Sequence, residues 1–315
     1  MNTRLSYIDI AKGLLILMVV FLHVGYYPTS EWGGVNRVFE LGMNTIGYLF
    51  IPFFMAAFFI LSGFCSDAGK KRSVEETIKK GIIKLLVPMI LLKFDHDQWF
   101  CWAMFFALIF DCLIELIKNK FWRIVVLAAL PVVATFCNSR GWDYTYLDYA
   151  MVFTPFLYIG RHFKQIGSNN KVGVVCAIVY CACILGWFFL FRGPAPRISG
   201  NAYFVTVPQL PVFFILSTSG TSALMLVSRW IAKNKVLEYI GRNSLVYFLF
   251  HFNVLYIAKP FISKLTELDG NYAVSALLYL LLFAVTLAVC TVVSKLLNHY
   301  LPWLVNKQRW VQEHY

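Results

Sequence analysis

The sequence predicts an all-α, polytopic integral membrane protein of about ten transmembrane helices, with both termini on the cytoplasmic side. Three observations carry this: the composition, the spacing of apolar segments, and the alternation of basic residues between them. Of 315 residues, 59% are hydrophobic, 17% aromatic and only 14% charged, whereas about a quarter of the residues of a soluble domain are charged. The mean hydropathy is +0.66. Each span needs about 20 apolar residues to cross a hydrocarbon core of roughly 30 Å. The chain is therefore expected to form a single membrane domain over 1–315, with short connections.

Taken in order, the apolar segments lie near 10–28, 43–64, 81–93, 99–117, 121–137, 147–160, 172–191, 208–228, 243–258 and 273–297. The first begins with an Asp and a Lys and lacks a small-residue cleavage site, so it is expected to stay as a span rather than to be removed as a signal. The third and sixth are short, and are expected to tilt little, to sit beside thinned lipid or to be buried among neighbours. The second, fourth, sixth and eighth connections and the termini carry eighteen Lys and Arg, against seven on the odd connections. Basic residues collect on the cytoplasmic side, which fixes the orientation. The formal charge of +12 is thereby an orientation signal, and no nucleic-acid partner is expected. The eight cysteines fall mostly inside apolar runs without a CxxC pair, as packing thiols do.

The first span, DIAKGLLILMVVFLHV (9–24), carries Asp9, Lys12 and His23. Lys12 and His23 are separated by three turns plus a small remainder, so they share one face at roughly 16 Å along the axis. Asp9 lies one turn before Lys12 on nearly the same side. Ionisable groups in a span are expensive and usually face a bundle interior or a path. Alternatively, Asp9 and Lys12 pair at the interface and His23 is a satisfied core histidine. Histidine takes and returns a proton near neutral pH, and a lysine binds phosphate as a point charge. Together they suit a reaction that bridges the two sides of a membrane.

Ser244, Tyr247 and His251 follow one another at spacings of three and four and share a helix face. His251 reads either as a residue contacting substrate or as a hydrogen-bonded core histidine. In the first outer connection, Tyr26, Tyr27 and Trp32 are either sugar-stacking rings or interfacial anchors. DHD (95–97) offers a single histidine among divergent neighbours, and no metal is expected there.

These residues resemble the membrane-bound acyltransferase type 3 family, whose first span carries Arg, ten residues and His. Further pieces follow in family order: FFILSGF (58–64), KKGIIKLLVP (79–88), WFCWAMFF (99–106), FTPFLYIGRHFK (153–164) and LEYIGRNSLVYFLFHFNVLY (237–256). The resemblance implies transfer of an acyl group, usually acetyl, from cytoplasmic acyl-CoA to a hydroxyl on a carbohydrate or lipid-linked glycan across a bacterial inner membrane. It carries the family histidine over to His23, the basic partner to Lys12 and the acidic neighbour to Asp9. Ser62, Lys84, Arg161, Ser244, Tyr247 and His251 follow as further carry-overs. Two departures stand out: lysine replaces arginine at 12 and at 84, which loses bidentate phosphate recognition, and the segment 93–98 is very short.

Acyl transfer from a thioester needs a base, donors for an oxyanion and positive charge for the CoA phosphates. His23 takes the first role, with Asp9 counted beside it. Lys12, Lys80, Lys84, Ser62 and Arg161 fall on the acetyl-CoA side, and Ser244, Tyr247, His251 and Trp32 on the acceptor side. The rival reading is a transporter or flippase that uses the Asp9, Lys12 and His23 stripe as a substrate or proton path. A third is a membrane glycosyltransferase with acidic residues in its first outer loop, for which only Glu31 and Glu40 speak.

Overall fold

The computed structural model describes residues 5–26, 37–66, 73–92, 99–142, 146–162, 169–193, 195–198, 204–265 and 272–305, with the backbone alone at 26, 37–46, 259–265 and 272. The described residues form helices and no strand. Trp32, Tyr27, Glu31, the basic run 70–72 and DHD (95–97) lie outside them, as do the side chains of Tyr26 and Glu40.

The helices are α1 (Ser6–Tyr26), α2 (Arg37–Cys65), α3 (Val74–Gly81), α4 (Val87–Leu92), α5 (Trp99–Glu115), α6 (Lys120–Ser139), α7 (Leu147–His162), α8 (Asn170–Phe191), α9 (Leu210–Ile231), α10 (Lys235–Arg242), α11 (Ser244–Leu265) and α12 (Tyr272–Tyr300). Their starts are written into the connections. Ser73, Asn119, Asn169 and Asn234 each accept a backbone N–H with the side chain one residue before α3, α6, α8 and α10, which satisfies donors the first turn leaves orphaned. Between α3 and α4, Ile82–Leu86 form a π-helical turn. Pro88 removes an N–H that an α-helix would use there, and the turn ahead of it widens.

Over the described residues each expected apolar segment is mainly helical, and among those residues six helices are long and apolar enough to cross a membrane: Ser6–Gly25, Gly47–Cys65, Lys120–Ser139, Asn170–Phe191, Val207–Ile231 and Ala273–Tyr300. The described residues of segments 81–93, 99–117 and 147–160 fold as shorter pieces, α5 being 17 residues and α7 16; at a rise of about 1.5 Å per residue α5 and α7 fall short of a full bilayer core. Ser244–Ala258 is a shorter apolar stretch. The chain is a multi-pass membrane protein.

The helices pack as two compact units. The first comprises Met1–Phe50, Val87–His96 and Lys233–Tyr315, the second Ile51–Leu86 and Asp97–Ala232. In the first unit, α1 packs on α10, α11 and α12. α1 and α10 cross at two glycines: a Cβ on Gly13 would strike the Leu237 carbonyl, and one on Gly241 the Asp9 carbonyl. The second unit is centred on rings. Phe153 stacks on Phe59 at 4.5 Å and meets Trp99, Phe156 and Phe213 at 6.1–6.3 Å, separations at which offset and edge contacts are favourable.

Candidate active site

His23 and His251 meet in the first unit. α1 is unbroken from Ser6 to Tyr26, so His23 sits near its end, about 16 Å along the axis from Lys12 and about 21 Å from Asp9. Nδ1 of His23 lies 2.8 Å from the carbonyl oxygen of Val19, and Nδ1 of His251 lies 2.9 Å from that of Tyr247. A carbonyl only accepts, so each Nδ1 carries the proton and each Nε2 the lone pair. The tautomers follow from that network. Nε2 of His251 faces Nδ1 of His23 at 3.3 Å and accepts a share of the same N–H.

Both rings are shielded. His251 is wholly buried and His23 half-buried. The ring of Phe252 stands edge-on to His23 at 4.7 Å and tilted against His251 at 4.0 Å. The pair is therefore held among apolar rings, where a polar group gains strength from its partners and loses heavily without them.

The supports of the pair come from three helices. On α12, the Tyr279 hydroxyl donates to the Phe21 carbonyl at 2.5 Å, two residues before His23. On α11, the Asn253 amide donates to the Leu92 carbonyl at 2.7 Å, capping the end of α4 two residues past His251. Thr291 donates to the Leu287 carbonyl at 2.7 Å, so the hydroxyl of Tyr247 is the donor in its 2.6 Å bond to Thr291. Tyr247, expected at the acceptor, is thus wholly buried and ties α11 to α12. Ser244 begins α11 and is half-buried.

The opposite end of α1 holds a separate group. Asp9 is 3% exposed and accepts from Nε of Arg242 at 3.2 Å. Arg242 also donates to Glu238 at 2.8 Å, and Ser6 to the other oxygen of Glu238 at 2.6 Å. At about 21 Å from His23, Asp9 is placed to hold α10 against α1. Lys12, one turn on, is half-buried.

The remaining expected residues belong to the second unit. Ser62 is half-buried near the end of α2, and Lys84 half-buried in the π turn. Lys80 is exposed and pairs with Glu76. Arg161 is held by Asp111 and Glu115. Among the described residues, no group of three or more His, Cys, Asp or Glu is arranged to hold a metal.

Sequence reasoning passed over Arg242, Glu238, Asn253 and Asp111. Glu238 and Arg242 were legible as an i,i+4 pair. Asp111 and Glu115 are two acids one turn apart in an otherwise apolar segment, which demands cationic partners. Asn253, a lone amide in an apolar helix, gives no such signal.

Compared with known proteins, residues 5–94 and 96–295 match the profile of one protein family, described as an acyltransferase domain. No curated protein and no solved structure matches the chain.

Proposed function

We propose, from the premise that this chain belongs to the acyltransferase 3 family, that it moves an acetyl group from cytoplasmic acetyl-CoA to a hydroxyl of a carbohydrate or lipid-linked glycan on the far side of a bacterial inner membrane. The supporting observation is the histidine pair: His23 is the Nδ1–H tautomer, its Nε2 carries the lone pair, and His251 lies 3.3 Å behind it. A neutral imidazole fixed in one tautomer is the form that a general base requires.

In this reading Nε2 of His23 takes the proton of the acceptor hydroxyl as its oxygen bonds to the thioester carbonyl carbon. The C–S bond breaks, and the CoA thiolate leaves and recovers a proton, so that His23 returns to neutral. Shielding by Phe252 limits competing hydrolysis by water. Ser62 and Lys84 are assigned to the donor by resemblance, Lys80 by its charge, and Lys12 by both. An amine suits a phosphate as a point charge without the fork of a guanidinium. Ten spans and two cytoplasmic termini complete the proposal, resting on the alternation of basic residues.

The test is the purified protein in detergent, with the thermal midpoint followed across CoA and acetyl-CoA titrations for wild type and His23→Ala. A ligand at about a hundred times its Kd adds roughly 2.7 kcal/mol to the folded state. Both proteins should respond to CoA, while transfer of labelled acetyl to a membrane glycan extract falls about 10²- to 10⁴-fold in the variant. A variant that still transfers removes His23 as the base. A wild type without any CoA response removes the donor.

A further inference from the structure

The resemblance carries Arg161 over to the acyl-CoA side, but its surroundings in the second unit give it other work than holding phosphate. We infer that Arg161 is a positioning residue that fixes the Ser62–Gly63 end of α2 through α7, and that it does not bind the acyl-CoA phosphates; the second half rests on the acyl-CoA reading above.

The guanidinium is engaged on both sides. It contacts Oδ2 of Asp111, and Oε1 of Glu115 at 3.0 Å. The Asp111 side chain is 6% exposed and that of Arg161 14%, so a phosphate would have to displace a buried carboxylate to reach it. Arg123 completes the group. It lies 3.8 Å from Glu115 and donates to the Glu115 and Ile117 carbonyls at 3.2 and 2.8 Å, closing the end of α5. Two guanidiniums face two carboxylates, and such a balanced cluster offers a phosphate little net field. Its members join α5, α6 and α7.

From Arg161 the constraint passes to α2 by backbone contact. A Cβ on Gly160, the preceding residue, would strike the carbonyl of Ile60. A Cβ on Gly63 would strike the carbonyl of Leu157 and lie 3.1 Å from the amide nitrogen of Arg161. No side chain cushions this crossing, so a shift of the α7 end reaches Ser62 directly. The two glycines explain why SGF and IGR stand where they do in the sequence: each lets the other helix in.

The test replaces charge by shape. Arg161→Met strands a buried carboxylate, whereas Arg161→Met with Asp111→Leu substitutes a packed apolar pair, an exchange that proteins often accept. Thermal midpoints and Kd for CoA and acetyl-CoA are read from ligand titrations of the full chain in detergent. The expected result is a midpoint lower by several degrees in R161M, and recovery of both midpoint and Kd to within about twofold in the double variant. A double variant with restored midpoint but CoA affinity still weaker by more than about tenfold overturns the inference, as does an R161M midpoint equal to wild type. If the double variant does not fold, Asp111→Asn decides. A lowered midpoint with CoA affinity weaker or unchanged supports the clamp, and an unchanged midpoint or tighter CoA binding overturns it. Absence of any CoA response in wild type would instead sink the donor reading, while the midpoints still judge the clamp.

Discussion

Nε2 of His251 stands 3.3 Å from Nδ1 of His23, and each ring donates its Nδ1 proton to the carbonyl four residues back in its own helix. The lone pair of His251 thus favours the proton on Nδ1 of His23 and keeps Nε2 of His23 open to accept another. In the proposed mechanism, His251 acts on the reaction through the orientation of His23.

A glutamine at 251 can still present an acceptor to that N–H, and a phenylalanine cannot. His251→Gln is expected to lower kcat by about tenfold and His251→Phe by about a hundredfold, with KM for acetyl-CoA unchanged. Initial rates at varied acetyl-CoA check this. A raised KM at constant kcat would place His251 on the substrate instead.

Gly241→Ala places a methyl group on the carbonyl of Asp9. Overpacking of this kind typically costs about 1–3 kcal/mol, and here backbone rather than a flexible side chain must yield. The thermal midpoint should fall, and size-exclusion profiles should show more aggregate; a variant as stable as wild type would mean that α1 and α10 separate freely.

Asn253→Leu leaves the carbonyl of Leu92 without the amide that reaches it at 2.7 Å. An unsatisfied buried acceptor costs about 1–3 kcal/mol. Hydrogen exchange in α4 should quicken while that of α12 stays slow, a local effect that mass spectrometry of peptic fragments resolves.

Lys12→Ala should raise Kd for acetyl-CoA by about tenfold, the loss of one charge-assisted contact. Lys12→Arg should retain the affinity or improve it, because a guanidinium adds a second donor. Titration of the thermal midpoint reads both, and an alanine variant with wild-type affinity would leave Lys12 as an orientation signal.

The helices were legible because membrane spans are long, apolar and separated by charge, and the caps Asn119, Asn169 and Asn234 mark their starts. α5 and α7 are 17 and 16 residues long, so their length alone does not set them with the six longer helices. His23 was legible from its stripe with Lys12. Its partnership with His251 was not, because the two are 228 positions apart and no periodicity links separate helices. The resemblance carries Asp9 over beside His23, and its place one turn before Lys12 was legible from spacing. Its pairing with Arg242 was not legible, because that residue comes from the other end of the chain. Gly63, Gly160 and Gly241 each admit another helix, and which helix was not legible because glycine recurs in apolar runs.

α1 is held in two regions along its length: from Ser6 to Gly13 by α10, and at Phe21 by the hydroxyl of Tyr279. Mechanically it is a beam on two supports about 12 Å apart, with His23 on a short overhang beyond the outer one. A beam so held cannot slide along its axis, and an overhang of two residues bends little. In the proposed reaction the histidine is therefore an anvil, to which the hydroxyl and thioester are carried.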